Sequence, residues 1–458
     1  MLASCPAFLH LRSITLKIHL SDHFTYKKLL RFSLPSIVMM LVTTVYSMVD
    51  GFFVSNFVGK NAFAALNLMM PLLMAVGAIG LMFGTGGGAY IALKLGEGNQ
   101  KEANETLSML TVVMMIVGVI ISLVCFVFVE PLARLMGANN ALIGDCMIYS
   151  KVLLSVMPLF IAQNAFQSVV VAAEKPRFGL VISVVAGVTN VIGDFLLVAV
   201  FDLGLYGAAL ATALSWCVGG MIPLVYFAMK NSSLLRFTKT KFRPRVIGKV
   251  CANGSSEMVS NLSLSFVSII YNSQLMRYMG ADGVSAYGVI MYVSFAFMAF
   301  SMGYSITVSP IAGYHLGAQN SNELKSVLRK SAVIIAVTNV LMLLLAEATA
   351  YPAALLFASY DKDLFDLTIQ AIILYSFAYL FIGYNTFSSA FFTGLNNGRV
   401  SAAISFLRTV GFEIGSLILL PLIFGRDAIW LSAAAAEFIT LIISIIFIVA
   451  NKKKYHYL

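Results

Sequence analysis

Charged residues are scarce in this chain of 458 amino acids. Asp, Glu, Lys and Arg make up 11% of it, against roughly 25% in a soluble domain. Cysteine is scarce as well. Cys5, Cys125, Cys146, Cys217 and Cys251 are scattered and odd in number, mostly in or beside apolar runs. They have neither metal-ligand spacing nor the pattern of a disulfide framework, so they read as packing residues. The five histidines, His10, His19, His23, His315 and His456, lie in or near tails and loops without the paired spacing of a metal site. No Ser-His-Asp arrangement is visible. The run Gly84-Thr85-Gly86-Gly87-Gly88 lacks the Lys-Ser/Thr of a phosphate loop. These absences argue against an enzyme and against a bound cofactor. Residues 1–24 do not make a clean signal peptide and read as a short cytoplasmic extension.

What is present is apolar. Hydrophobic residues form 60% of the chain, and runs of about 20, enough to cross a bilayer, recur at 34–54, 65–91, 107–129, 147–171, 179–201, 207–229, 255–278, 284–312, 331–350, 367–392, 401–424 and 429–450. The expectation is an all-α polytopic membrane protein of twelve spans. Its net charge of +10 is a topology signal rather than a nucleic-acid surface. With both termini in the cytoplasm, the inner segments hold 23 of the 30 Lys and Arg, the positive-inside asymmetry of a cytoplasmic-membrane protein. The stretch 230–250 carries seven of them and no acid. It divides six spans, 25–229, from six more, 251–450, with a basic tail at 451–458.

The two halves repeat. Leu95-Gly96-Glu97-Gly98-Asn99 recurs as Leu316-Gly317-Ala318-Gln319-Asn320, and the same offset of 221 pairs Gly59 with Gly280 and Ala65 with Ala286. At an offset of 222, Arg177 meets Arg399, Ser183 meets Ser405 and Gly193 meets Gly415. Six spans per copy return the chain to its starting side, so the copies are parallel repeats about an axis along the membrane normal. The glycines of the second span (Gly77, Gly80, Gly84, Gly86, Gly87, Gly88) read first as close helix packing and second as a bendable helix.

Charges inside the bilayer cost roughly a few kcal/mol each and mark function. Counted from the neighbouring turns at 1.5 Å per residue, Asp50, Asp194 and Thr212 all lie roughly 12–14 Å in from the outer surface. Asn190 shares a helix face with Asp194. Two carboxylates, an amide and a hydroxyl suit a monovalent cation: the oxygens can replace the hydration shell of Na⁺, and a buried carboxyl beside a like charge can take up a proton. Static hydrogen bonding between helices is the competing reading. The second copy has Tyr271, Phe412, Ser416 and Ala434 at these places and cannot build the same site. Among the other charges, Glu347 lies near an outer helix end and Arg408 near enough to the inner surface to snorkel. Glu257, Glu413 and Glu437 are weaker candidates for partners of a cationic substrate. Gln163, Asn272, Gln274, Tyr292, Phe295 and Met298 suit a cleft for bulky apolar or cationic ligands, with ordinary packing as the alternative for each.

The chain resembles the multidrug and toxic compound extrusion (MATE) family of prokaryotic type. The resemblance rests on Asp50-Gly51-Phe52-Phe53-Val54 with Gly59, on Leu95-Gly96-Glu97-Gly98-Asn99, on Asn190-Val191-Ile192-Gly193-Asp194, and on Gly204-Leu205-Tyr206-Gly207-Ala208-Ala209-Leu210-Ala211-Thr212. In the second half it rests on Tyr287-Gly288, Gly317-Ala318-Gln319-Asn320 and Trp430 with Glu437. It covers nearly all of residues 25–450. It implies two six-helix lobes in a V around a central cleft, working as a monomer that exports organic cations or drugs in exchange for H⁺ or Na⁺. It also implies a cation site in the first lobe, carried here by Asp50, Asn164, Asn190, Asp194 and Thr212, with Tyr46 one turn before Asp50. One branch of the family uses acids in helices seven and ten; helix ten has none here, and Glu257 stands near the start of helix seven. A flippase for lipid-linked precursors, of the same superfamily, is the alternative. It would need a basic cavity that the sequence does not supply.

Overall fold

The apolar runs fold as helices because a backbone polar group in lipid has no water to bond and must be satisfied within its own segment. The computed structural model describes residues 18–359 and 361–457, without the side chain of Tyr292; residues 1–17 of the expected N-terminal extension lie outside that set. In chain order the helices are α1 (Tyr26–Phe53), α2 (Lys60–Gly96), α3 (Gln100–Val127), α4 (Val129–Leu135), α5 (Ile143–Ser155), α6 (Met157–Ala172), α7 (Pro176–Asp194) and α8 (Gly204–Ala228). The second half has α9 (Pro244–Gly317), α10 (Ser321–Ala358), α11 (Lys362–Ser376), α12 (Tyr379–Gly394), α13 (Gly398–Phe406), α14 (Ile414–Phe424) and α15 (Ser432–Tyr455).

Among the described residues nine helical stretches are long and apolar enough to cross a membrane, and the bent pairs α5–α6 (60°) and α11–α12 (44°) add two. The 74-residue α9 breaks at Gly280, whose φ of +68° no helix contains, so it counts twice. The result is the twelve spans expected from hydropathy. Three spans carry π-helical turns: Val54–Val58 directly after α1, Phe195–Val200 directly after α7, and Leu407–Glu413 between α13 and α14.

The duplication is written into the turns. Left-handed backbone recurs at Gly59 and Gly280, at Gly98 and Gln319, at Glu174 and Asn396, and at Gly204 and Gly425, each pair at an offset of 221 or 222. Asn99 caps α3 by accepting from the Glu102 amide at 3.0 Å, and its counterpart Asn320 caps α10 by accepting from the Glu323 amide at 3.1 Å.

The halves meet most closely at the end of the molecule where the described chain begins and ends. A Cβ on Gly96 would strike the Tyr314 carbonyl, and one on its counterpart Gly317 the Leu93 carbonyl. Gly254 lies against Met82 and Gly303 against Ile37 in the same way. Of the second-span glycines, Gly80 and Gly84 face the backbone of α6 and Gly86 that of α9, the close packing that small residues permit. One apolar core runs through both halves there, holding Ala92 and Phe166 together with Leu324, Phe387 and Phe391. A second core, around Tyr271, Tyr375 and Trp430, belongs to the C-terminal half alone. The basic stretch between the halves is tied along α3. Asn104 accepts from the Arg236 amide, Ser108 from the Thr238 amide, and Arg243 pairs with Glu105 at 2.7 Å.

Candidate functional site

Four spans of the first half converge on a buried polar centre. Asp50 sits in the last turn of α1, just before its π-helical turn, and Asp194 ends α7, just before the next one. Asp50 is 3% exposed and Asp194 fully buried. The Thr212 hydroxyl, from α8, donates to Asp50 Oδ1 at 3.3 Å, and Asn190 Nδ2 donates to Thr212 Oγ1 at 3.3 Å. The structure thus brings together the four side chains that depth and helix face grouped on the sequence.

The two carboxyls are close enough to interact electrostatically. Both are acceptors when ionised, and among the described residues no protein donor reaches either oxygen of Asp194. The Asn190 Oδ1 acceptor is likewise unmatched. An enclosed set of acceptors with too few donors is costly as it stands. A proton shared between the carboxyls or a cation among the oxygens would satisfy it.

Three further buried side chains lie near the centre or one turn along from it. Tyr149 on α5 is fully buried within electrostatic reach of both carboxylates, with its hydroxyl unpartnered among the described residues. Tyr46, one turn before Asp50, is buried and lies close to Asp50 and to Gln163 on α6. Ser215, one turn after Thr212, is buried without a partner for its hydroxyl. Sequence reasoning missed Tyr149 and Ser215 and placed Gln163 in the substrate cleft. Tyr149 escaped the depth count because the apolar run starts at 147, whereas the helix starts at Ile143 and sets Tyr149 six residues inside it. Asn164, expected among the cation ligands, instead donates to the Gly77 carbonyl at 3.2 Å. One residue's difference, about 100° around a helix, turns Gln163 towards Tyr46 and Asn164 towards α2.

The second half uses the equivalent spans differently. Arg408, on the π-helical turn, does not snorkel: it donates from Nε to Glu437 Oε1 at 2.6 Å and from Nη1 to Thr386 Oγ1 at 3.0 Å. Asn385 Nδ2 donates to Glu437 Oε2 at 2.7 Å, and Ser444 to Asn385 Oδ1 at 3.1 Å. At the offset of 222, Glu437 stands at the place of Ser215 and Asn385 at that of Gln163. Glu257 and Glu413 lie within electrostatic reach of the guanidinium. Glu437 is thus already matched by a cation from its own chain. Tyr271, at the place of Asp50, is buried and stacked on Tyr287 at 4.5 Å. Of the cleft candidates on α9, Asn272 and Phe295 are exposed, and Gln274 and Met298 half-buried.

The MatE family model matches residues 35–196 and 258–417, once in each half. Among curated relatives, the multidrug export protein MepA of Staphylococcus saprophyticus is 26% identical over 326 residues, covering 69% of this chain and 71% of its own. MepA of Staphylococcus aureus MRSA252 is 23% identical over 425 residues, covering 90% and 91%. Among solved structures, MATE in complex with MaL6 aligns with a TM-score of 0.91 at 20% identity, over 97% of this chain and all of that one. The outward-facing conformation of a multidrug resistance MATE family transporter of the MOP superfamily aligns at 0.90 and 21%, over 97% and 100%. These likenesses show the fold: twelve helices in two lobes.

Proposed function

Because the chain belongs to the MatE family of multidrug efflux transporters, we propose that it exports amphipathic organic cations across the cytoplasmic membrane by alternating access, driven by inward movement of H⁺ or Na⁺. The single observation that carries the coupling site is the carboxyl pair Asp50–Asp194, enclosed on all sides without a donor for Asp194. Ion binding there satisfies acceptors that nothing else satisfies. Binding to one lobe shape and release from the other would convert the gradient into a change of shape, since a ligand shifts a conformational equilibrium by its differential affinity. Thr212 and Asn190 orient Asp50, and Tyr46 and Tyr149 lie buried near the carboxyl pair. All of it lies within one chain, which supports a monomer as the working unit. The basic segments and both termini are assigned to the cytoplasm, and the lobes to 25–229 and 251–450, joined by the linker 230–250.

Dye efflux from membrane vesicles tests the reading, with Na⁺ and pH varied independently. Asp50→Asn, which keeps the shape and removes the charge, is expected to lower gradient-driven efflux at least roughly tenfold, which corresponds to about 1.4 kcal/mol of lost coupling. Full efflux by that variant would sink the assignment. The gradient that sustains efflux in the parent identifies the ion.

A further inference from the structure

Residues 18–25 enter the molecule at the end where the described chain begins and ends, and they touch both halves in the same way twice. At the first point His19 Nδ1 lies 2.7 Å from Glu174 Oε2, and the Leu20 amide donates to Glu174 Oε1 at 2.8 Å. At the second, four residues on, His23 Nδ1 lies 2.6 Å from Glu323 Oε2, and the Phe24 amide donates to Glu323 Oε1 at 2.8 Å. Glu174 belongs to the turn between α6 and α7, in the first half, and holds left-handed backbone at φ +60°. Glu323 belongs to the first turn of α10, in the second half. Each carboxylate therefore grips one imidazole and the next backbone amide, and the two grips fall on opposite lobes.

The segment is also packed. Leu20 and Phe24 are fully buried in the core that the halves share, with Phe24 edge-on to His315 at 6.3 Å. Lys330 of α10 donates to the Phe24 carbonyl at 2.5 Å and to Ser326 Oγ at 2.7 Å. Lys28 pairs with Asp22 at 3.1 Å, which bends the chain into α1. Glu174 and Glu323 are almost entirely covered, whereas the imidazoles face outward. Removing either grip would strand a buried carboxylate and a buried amide together. Such a double loss makes the contact two-state rather than graded.

We propose that residues 18–25 are a strap that latches the two lobes together at the basic end, and that export requires its release on one lobe in each cycle. Separation of the lobes at this end would pull Glu174 away from Glu323, while the strap spans them with only three residues between Leu20 and Phe24. It cannot stay gripped at both points when the lobes part. His19, His23, Glu174, Glu323 and Lys330 are then the residues that set the balance between the shape closed at this end and the shape open there. The latch rests on the two-lobe reading of transport and makes no use of the ion site.

Spin labels at two exposed positions on opposite lobes, Arg177→Cys and Arg399→Cys in a background without native cysteines, read the separation directly by pulsed double electron resonance in nanodiscs. Neither ion nor substrate enters this measurement, so its outcome is separable from that of the Asp50→Asn efflux assay. The parent is expected to give one short-distance population. Glu174→Gln combined with Glu323→Gln is expected to raise a longer-distance population at least roughly tenfold, with each single variant in between. An unchanged distribution in the double variant overturns the latch, and so does a lowered melting midpoint with unchanged distances, which marks a mere anchor. Should the double variant not fold, His19→Ala with His23→Ala keeps both carboxylates and both amide bonds; unchanged distances there overturn the latch equally.

Discussion

Arg408 shows how one side chain can reverse the meaning of a site. Alone in an apolar run it looks like a cation reaching for water, and Glu437, 29 residues later, like a carboxylate awaiting a ligand. Together they neutralise each other, with Arg408 14% exposed in its side chain. Breaking such a pair from one side costs more than removing both, because the surviving charge stays buried. Arg408→Gln is expected to lower stability by about 3–5 kcal/mol, and Arg408→Met combined with Glu437→Leu to recover most of it. Thermal unfolding in detergent checks both, and equal losses in the two would refute the pairing. What the sequence revealed at this scale was depth. Asp50, Asp194 and Thr212 were grouped because two of them carry charge and all three sit at one level, and Asn190 because it shares a helix face with Asp194. Rotation was not readable. Whether residue 163 or 164 faces the site, and whether Arg408 reaches α15 or the membrane surface, depends on helix phase, and a π-helical turn shifts that phase by one residue.

Among the elements, turns carried more legible information than helices. Gly59, Gly98, Gly204, Gly280 and Gly425 all adopt left-handed backbone, which glycine takes without cost and other residues do not. The repeated glycines were therefore readable as turns. Gly280 isolates the effect, since nothing lies within 4 Å of a Cβ built there. Gly280→Ala is expected to cost about 1–2 kcal/mol through backbone strain alone. A melting temperature unchanged from the parent would mean that the break in α9 is set by packing. The bends were less legible. The α5–α6 and α11–α12 pairs cross as broken spans, and hydropathy reads the same over a broken helix as over a straight one. Depth along the fourth and tenth spans, where Tyr149 and Asn385 lie, was harder to assign for that reason.

The whole molecule is a repeat whose copies have diverged in their buried polar groups and kept their frame. One centre has acceptors in surplus; in the other, Arg408 answers Glu437 from within the chain. The orientation proposed from charge is testable without transport. A fluorescent protein fused after the C-terminus is expected to mature in the cytoplasm, and alkaline phosphatase inserted at the Gly280 turn to be active outside. Activity of the phosphatase in the basic linker instead would invert the assignment.

The apolar core common to both lobes has a consequence for biogenesis. Ala92 and Phe166 are synthesised long before Leu324, Phe387 and Phe391, which pack in the same core. When the sixth span leaves the ribosome, the first lobe is complete in chain length and incomplete in its interior. The face it will later close with its twin is open to the membrane for as long as translation of the second copy takes. The insertion machinery therefore handles two lobes that become finished proteins at the same moment, although one is much older than the other.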